Sequence, residues 1–319
     1  MTVVIPVKDR RVLLGAALDG LAAQTYQDFE VIVVDDGSSD GSGEEAASRV
    51  IAGRPVRVLR GGANGAVAAR QVGVAEARGE ILAFTDSDCV PVPAWLAEGV
   101  AAIDRGADLV NGHTAPARPP LPLERSMGSG LEGLYPTCNV FYRREAYDRA
   151  GGFDGQAADR WGFRPDRRSR GDGFGEDTLL AWRVARAGTV IYAPEALVEH
   201  AVFPPDYTEM LSRTARVAAF PALVKEVPEL RETLLDRRWQ LGRRSRLPVY
   251  ALAVAVLTGR RRAALLVVAW WASMRLSELR AFPIPWRRRL EVLPIEMAID
   301  VLTAGSLIVG SVTARSVTL

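Results

Sequence analysis

Two aspartates separated by one residue, Asp86 and Asp88, stand directly after an apolar, β-rich run at residues 81–85. A buried strand that ends this way carries two hard oxygen donors to its C-terminal tip, the edge where open α/β sheets bind ligands. Such donors suit a divalent cation, Mg²⁺ or Mn²⁺, with phosphate attached. Taken alone, a pair of this kind is more often a helix cap or a turn. A second acidic tip follows the apolar run 29–34, where Asp35 and Asp36 lead into Gly37-Ser38-Ser39-Asp40-Gly41. Right-handed crossovers bring the C-terminal ends of parallel strands to one edge, so the two acidic tips are expected to share a crevice. Carboxylates gathered there raise one another's pKa unless a cation lies among them. Arg70 adds a guanidinium able to fork onto a base carbonyl or a phosphate.

The elements that must position these groups alternate in type. Residues 3–5 form a β-branched run stopped by Pro6, followed by Val12, Leu13, Ala16, Ala17 and Leu21 at helical spacing over 11–24. The strand 29–34, a helix over 44–51, a strand at 56–59, a helix over 66–77 and the strand from Ile81 complete the series. Uniformly apolar strands alternating with helices predict an α/β fold with a mostly parallel sheet covered on both faces. The loop Gly61-Gly62-Ala63-Asn64-Gly65 is neither a Walker loop nor a dinucleotide fingerprint. Its glycines read as turn residues or as part of a ligand loop, and both readings stay open.

The 319 residues are 48% hydrophobic and 24% charged, enough for one large core or two smaller ones. The net charge of +2 conceals an asymmetry, since residues 237–319 hold 14 arginines against four acidic residues, a net +10 that leaves −8 for the rest. Only Lys8 and Lys225 are lysines, a mark of GC-rich coding. Two cysteines, Cys89 and Cys138, form neither a disulfide framework nor a zinc pattern and fit a reducing compartment. The start shows no basic segment followed by an apolar one, so no secretory signal is expected.

Several segments in series carry a resemblance. Val3-Val4-Ile5-Pro6-Val7-Lys8-Asp9, Val31 to Gly41, Ala69-Arg70-Gln71-Val72-Gly73 and Phe84 to Pro91 resemble the nucleotide-sugar half of family 2 glycosyltransferases, inverting enzymes of the GT-A fold. Cys138 to Glu145 with Ala150 to Asp154 resembles that family's acceptor-side segment, and Gly175-Glu176-Asp177-Thr178-Leu179-Leu180 its catalytic motif. Lys8-Asp9 and Gln71 depart from the commoner family residues, which touches base contacts and leaves the chemistry alone. The resemblance implies donor contacts from Pro6, Asp35, Asp36, Arg70 and Asp86, with Asp36 accepting from a pyrimidine imide. It implies Mn²⁺ or Mg²⁺ held by Asp88 with Asp86, and His200 either as a third ligand or as a structural histidine. Asp177 would be the general base, with Glu176 orienting the site. Both could instead be helix N-terminal acids favoured by the macrodipole. Cys89 reads as a small buried residue behind the site, His113 as structural, and the polar stretch 164–175 as a loop over the acceptor.

The expected organisation is a GT-A catalytic domain over 1–205, with a nucleotide-sugar half at 1–110 and an acceptor half at 111–205, then a helical basic region over 206–319. In that region, 208–225 suits an amphipathic helix with Arg213 and Arg216 outward. Residues 247–258 and 263–274 are apolar runs, each about 18 Å long as a helix and too short to span a core of about 30 Å. Arg260, Arg261 and Arg262 separate them and disfavour one continuous span. An interfacial hairpin fits better, with Arg243, Arg244, Arg246, Arg260–Arg262 and Arg287–Arg289 on anionic headgroups and Trp270, Trp271 and Trp286 at the interface. The run 292–312, with Glu296 and Asp300, reads as an amphipathic helix. A soluble helical subdomain or a dimer surface is the alternative. Nucleic acid is not an expected partner, because no reader module accompanies the arginines.

The function expected is metal-dependent, inverting transfer of a sugar from a UDP- or other NDP-sugar to an acceptor hydroxyl. The acceptor expected is a lipid-linked or bacterial cell-envelope glycan at the cytoplasmic face of the membrane. A sugar nucleotidyltransferase and a non-catalytic nucleotide-sugar-binding scaffold are the alternatives. The first would require a glycine-rich loop directly after the first strand, where Lys8-Asp9-Arg10-Arg11 stands instead.

Overall fold

The computed structural model describes residues 1–128, 133–161, 174–242 and 246–319. Two compact units make up the chain, one from residues 1–118 and 126–202, the other from 119–125 and 203–319.

The first unit runs β1 (Thr2–Val7), α1 (Arg11–Ala22), β2 (Glu30–Asp35), α2 (Ser42–Ala47), β3 (Val50–Ile51), β4 (Arg54–Pro55), β5 (Arg57–Arg60), α3 (Ala66–Glu76), β6 (Ile81–Thr85), β7 (Cys89–Pro91), α4 (Trp95–Asp104), β8 (Leu109–Pro116), β9 (Asn139–Arg143), α5 (Arg144–Arg149), α6 (Ala157–Arg160), α7 (Glu176–Ala185) and β10 (Val190–His200). Eight strands form one sheet in the order β5-β2-β1-β6-β9-β8-β10-β7. The strands β5, β2, β1 and β6 are parallel, as are β8 and β10, while β9 and β7 enter antiparallel. Successive side chains of β1 and β2 go to opposite faces, and both faces are covered. Val3, Ile5, Val31 and Val33 join α1 and α4 residues in one core, and Val4, Ile32 and Val34 join α3 and α7 residues in the other. This double burial is why the strands lack polar alternation.

The helix expected over 44–51 stops at Ala47, and Val50 and Ile51 pair instead with Arg54 and Pro55 in a small hairpin. β-Branched Val50 and Ile51 before a glycine favour that turn over a further helical turn. On α3, a Cβ at Gly73 would stand 2.5 Å from Val4 Cγ1, so the glycine lets the helix sit close on β1.

The second unit contains α8 (Tyr207–Arg216), a 3₁₀ turn (Val217–Ala219), α9 (Phe220–Glu226), α10 (Leu230–Thr233), α11 (Leu247–Leu257), α12 (Arg261–Leu279) and α13 (Trp286–Ala314). Residues 119–125 belong here because Arg125 and Phe203 exchange backbone hydrogen bonds of 3.0 and 2.8 Å. The helix expected over 208–225 is broken before Pro221, which opens α9. The second apolar run extends beyond Met274 to Leu279, making α12 19 residues long, because Arg275 is buried and paired with Glu278 and Glu296. Helix α13 buries Glu296, Asp300 and Thr303 together with Val292, Ala304 and Leu307, whereas Leu290, Val301, Ile308, Val309 and Val312 are exposed. Among the described residues it is the one helix long and apolar enough to cross a membrane. Arg243 and Arg244 lie outside the described residues.

Candidate active site

Strand register brings the acidic tips together. β1 lies between β2 and β6, with Val7 opposite Asp35 and Val4 opposite Phe84, so Asp35, Asp36 and Asp86 leave the sheet on one edge around the end of β1. Pro6 is buried in β1 opposite Val34.

Asp36 is buried, and its carboxylate accepts from the backbone N–H groups of Gly65 (2.8 Å) and Asn64 (3.2 Å). Gly65 has φ 89° and ψ 173°, a backbone region taken essentially by glycine alone. The loop's last glycine is therefore a backbone requirement, and Asp36 ties that loop to the start of α3. Asp35 accepts from the Ser38 N–H at 2.8 Å and holds the following turn.

Helix α3 then delivers Arg70, which is 5% exposed and donates from Nη2 to Asp86 Oδ1 at 2.5 Å. Burial works against its charge, yet the carboxylates of Asp86, Glu176 and Asp177 more than offset this and raise its pKa above the usual arginine value. Arg10, at the N-cap of α1, donates to Asp88 Oδ2. These two arginines supply countercharge that the sequence argument assigned to a metal alone.

Asp88 is 6% exposed, and its Oδ2 stands 3.7 Å from His200 Nε2. Antiparallel pairing of β7 with β10 sets His200 opposite Cys89, and the Ala201 N–H donates to the Asp88 carbonyl at 2.9 Å. His200 Nδ1 lies 2.7 Å from the Ala201 carbonyl oxygen. A carbonyl only accepts, so Nδ1 carries a proton there and Nε2 is the ring nitrogen that faces Asp88. Ser126 Oγ supports the ring from 3.4 Å. One donor atom each from Asp88, Cys89 and His200 lies within 4.8 Å of the others. A hydrogen bond with Cys138, together with burial, pushes the Cys89 thiol well above its ordinary pKa. The remaining oxygen and nitrogen donors fit a cation of the Mn²⁺ or Mg²⁺ type.

On the other side of Arg70 stands the N-terminus of α7. Gly175 caps it with φ 76°, and Glu176 and Asp177 fill its first turn, where the helix dipole favours negative charge. Thr178 Oγ1 donates to the Leu134 carbonyl (2.7 Å) and Trp182 Nε1 to that of Gly133 (2.9 Å), which fixes the helix in place. Glu176 is 8% exposed, and its Oε2 has no hydrogen-bond partner. Burial, then the neighbouring Asp177 charge, raise its pKa to about 7 against the pull of Arg70. Asp177 is also raised by burial, while the Thr178 N–H at 2.7 Å and Arg70 act to lower it.

His113 Nδ1 contacts the Tyr192 hydroxyl at 3.0 Å, a structural contact between β8 and β10. The stretch 164–175 falls almost wholly on residues 162–173, outside the described residues. Sequence reasoning missed Arg10 and Ser126, for which only a basic residue directly after the first strand offered a signal. It also missed the structural role of Asn139, which accepts from Trp95 Nε1 (2.7 Å) and donates to the carbonyls of His113 and Ala196 (2.8 Å each).

A sheet of this order, with acidic strand tips on one edge and an acidic helix start across from them, has the GT-A fold. Residues 2–153 match the model described as glycosyl transferase family 2. Glycosyltransferase AglE of Haloferax volcanii is 29% identical over 275 residues, 81% of this chain and 80% of that protein. The mannosyltransferase PcManGT of Pyrobaculum calidifontis, solved with GDP-Man and Mn²⁺, shares the fold at a TM-score of 0.59 and 18% identity, over 98% of this chain and 86% of that one. Residues 1–349 of S. aureus TarS, solved with UDP-GlcNAc, align at a TM-score of 0.51 and 14% identity, over 99% and 92%.

Proposed function

We propose that the chain moves a sugar from a nucleoside-diphosphate donor to an acceptor hydroxyl by a single, inverting displacement that depends on a divalent cation. The observation that supports this best is Arg70. It is a buried guanidinium bonded to Asp86 and electrostatically coupled to Glu176 and Asp177, so donor-side and acceptor-side carboxylates belong to one site.

In this reading Asp88 and His200 hold the cation with help from Asp86, and its imidazole nitrogen favours Mn²⁺ over Mg²⁺. When bound, the cation neutralises charge developing on the departing diphosphate. Asp35 and Asp36 shape the loop and the start of α3 beside the nucleotide, and Pro6 closes the end of β1 beneath it. Asp177, with its raised pKa, takes the acceptor's proton. Glu176 orients the acceptor and shares its negative field with Asp177. One fold neighbour was solved with a guanosine donor and another with a uridine donor, so the base is a question for assay.

The acceptor is a lipid-linked or envelope glycan, and the enzyme works on the cytoplasmic face of a membrane. The exposed apolar residues of α11, α12 and α13 support this, among them Leu257, Leu265, Leu266 and Val312. The arginine rows at Arg260–Arg262 and Arg287–Arg289 add complementarity to anionic headgroups.

The test is nucleoside diphosphate release from UDP-, GDP- and dTDP-sugars with Mn²⁺ and a membrane extract, with the anomeric configuration of the product read by NMR. Release that needs cation and extract is expected, and pyrophosphate release or a retained anomer would refute the reading. Asp177→Asn should keep donor affinity within about twofold and lower turnover by roughly 10²–10⁴. A variant that still turns over normally would move the base elsewhere.

A further inference from the structure

Arg10 lies in the loop between β1 and α1, and its side chain is 34% exposed. Its backbone is fixed independently of the side chain. The Arg10 N–H donates to Ser42 Oγ at 3.1 Å, and its carbonyl accepts from the Leu14 N–H at 2.8 Å. The side chain, in contrast, reaches Asp88 Oδ2, the same oxygen that faces Nε2 of His200 across 3.7 Å.

Two cations cannot use that oxygen equally. A divalent ion held by Asp88 and His200 would compete for Oδ2 and repel the guanidinium, which weakens the hold of Asp88 on Arg10. The side chain extends from an anchored backbone beside Asp88. A cation-bound diphosphate carries oxygens there that match a guanidinium fork.

We infer that Arg10 is an exchanging positioning residue: it holds Asp88 in place until the cation binds, then moves to the donor's diphosphate. This rests on the cation and diphosphate reading proposed above. It gives an order to assembly, in which Mn²⁺ alone binds against a competing internal cation and Mn²⁺ with diphosphate binds with that cation's help. The chain thereby discriminates against metal without donor.

Opposite effects on two affinities test the exchange. Titrate the whole chain and its Arg10→Gln and Arg10→Lys variants calorimetrically with Mn²⁺ alone, then with UDP and with GDP at saturating Mn²⁺. Arg10→Gln should bind Mn²⁺ alone roughly twofold to fivefold more tightly, because a partly exposed competing pair is gone. It should bind the better of the two diphosphates roughly tenfold more weakly, through loss of a charge-assisted contact. Arg10→Lys should fall between wild type and Arg10→Gln in both titrations. Two affinities that change in the same direction, or neither changing, overturn the exchange while leaving the cation site intact. A wild-type chain that takes up no Mn²⁺, and is unaffected by Asp88→Asn, instead refutes the cation site itself, and the exchange falls with it.

Discussion

Glu176 shows what the site demands of a single residue. Its carboxyl is buried, has one oxygen without a partner, and has its pKa raised from 4.5 to about 7. A raised carboxyl pKa means that the folded chain binds the proton more tightly than the unfolded chain. Its contribution to stability is therefore present below about pH 4.5 and is lost as pH rises towards 7. Glu176→Gln keeps the shape and removes the titration. In chelator-containing buffer, the fall in unfolding free energy between pH 5 and pH 7.5 should be shallower in the variant by about 1–3 kcal/mol. Urea unfolding at the two pH values measures this, and equal slopes for both proteins would show that Glu176 is not held protonated. The strain is what a functional site retains, since an isosteric glutamine would stabilise the fold at neutral pH. Arg70 belongs to the same balance. The sequence marks it as a phosphate or base ligand, whereas in the fold it donates to Asp86, because only the folded chain shows that Asp86 and α7 converge on it.

The elements place their polar residues by rules of their own, most visibly in α12 and α13. Arg275 and Glu296 are each about 4% exposed and pair across the two helices, and Trp271 Nε1 donates to Asp300 Oδ2 at 3.0 Å one turn away. A buried ion pair contributes little net stability, but breaking it strands a charge at a cost of about 3–5 kcal/mol. Arg275→Leu should therefore lower the melting temperature sharply. Adding Glu296→Leu should restore most of the loss, as differential scanning calorimetry would show. A double variant no better than the single one would mean that the helices pack without the pair. Much at this scale was legible beforehand. The strands of 3–5, 29–34 and 81–85 are apolar because both sheet faces are covered, and that alone specifies the parallel half of the sheet. The antiparallel β7 and β9 were not legible, since three-residue β7 ends in Pro91 and its pairing with β10 is a contact distant in sequence. The register that sets His200 beside Asp88 was hidden for the same reason. The polarity of α13 was hidden because periodicity reveals that one face differs from the other without saying which is buried.

Across the whole molecule, charge and apolar exposure are partitioned along the chain, with −8 before Arg237 and +10 from there on. An ordinary soluble helical unit hides its leucines and shows its charges. Here Arg275, Glu296 and Asp300 are inside, while Leu257, Leu265, Leu266 and Val312 are each more than 70% exposed. Paired charges inside and apolar side chains outside are what helices need when hydrocarbon, and not water, surrounds them. At 29 residues α13 is about 43 Å long, against a hydrocarbon core of about 30 Å. Arg287–Arg289 in its first turn suit a headgroup layer, each worth about 1 kcal/mol near an anionic surface. Two contributions with different salt responses follow, and flotation with liposomes separates them. The chain should float with vesicles containing phosphatidylglycerol and remain bound in 1 M salt, because burial of the apolar faces is not screened. Replacing Arg287, Arg288 and Arg289 with glutamine should weaken capture at low salt, by roughly 100-fold in partition coefficient, and leave the salt-resistant fraction in place. Release of the wild-type chain by salt would restrict the contact to headgroups alone. A chain that stays in the dense fraction at every lipid composition would assign the apolar faces to a partner other than a bilayer.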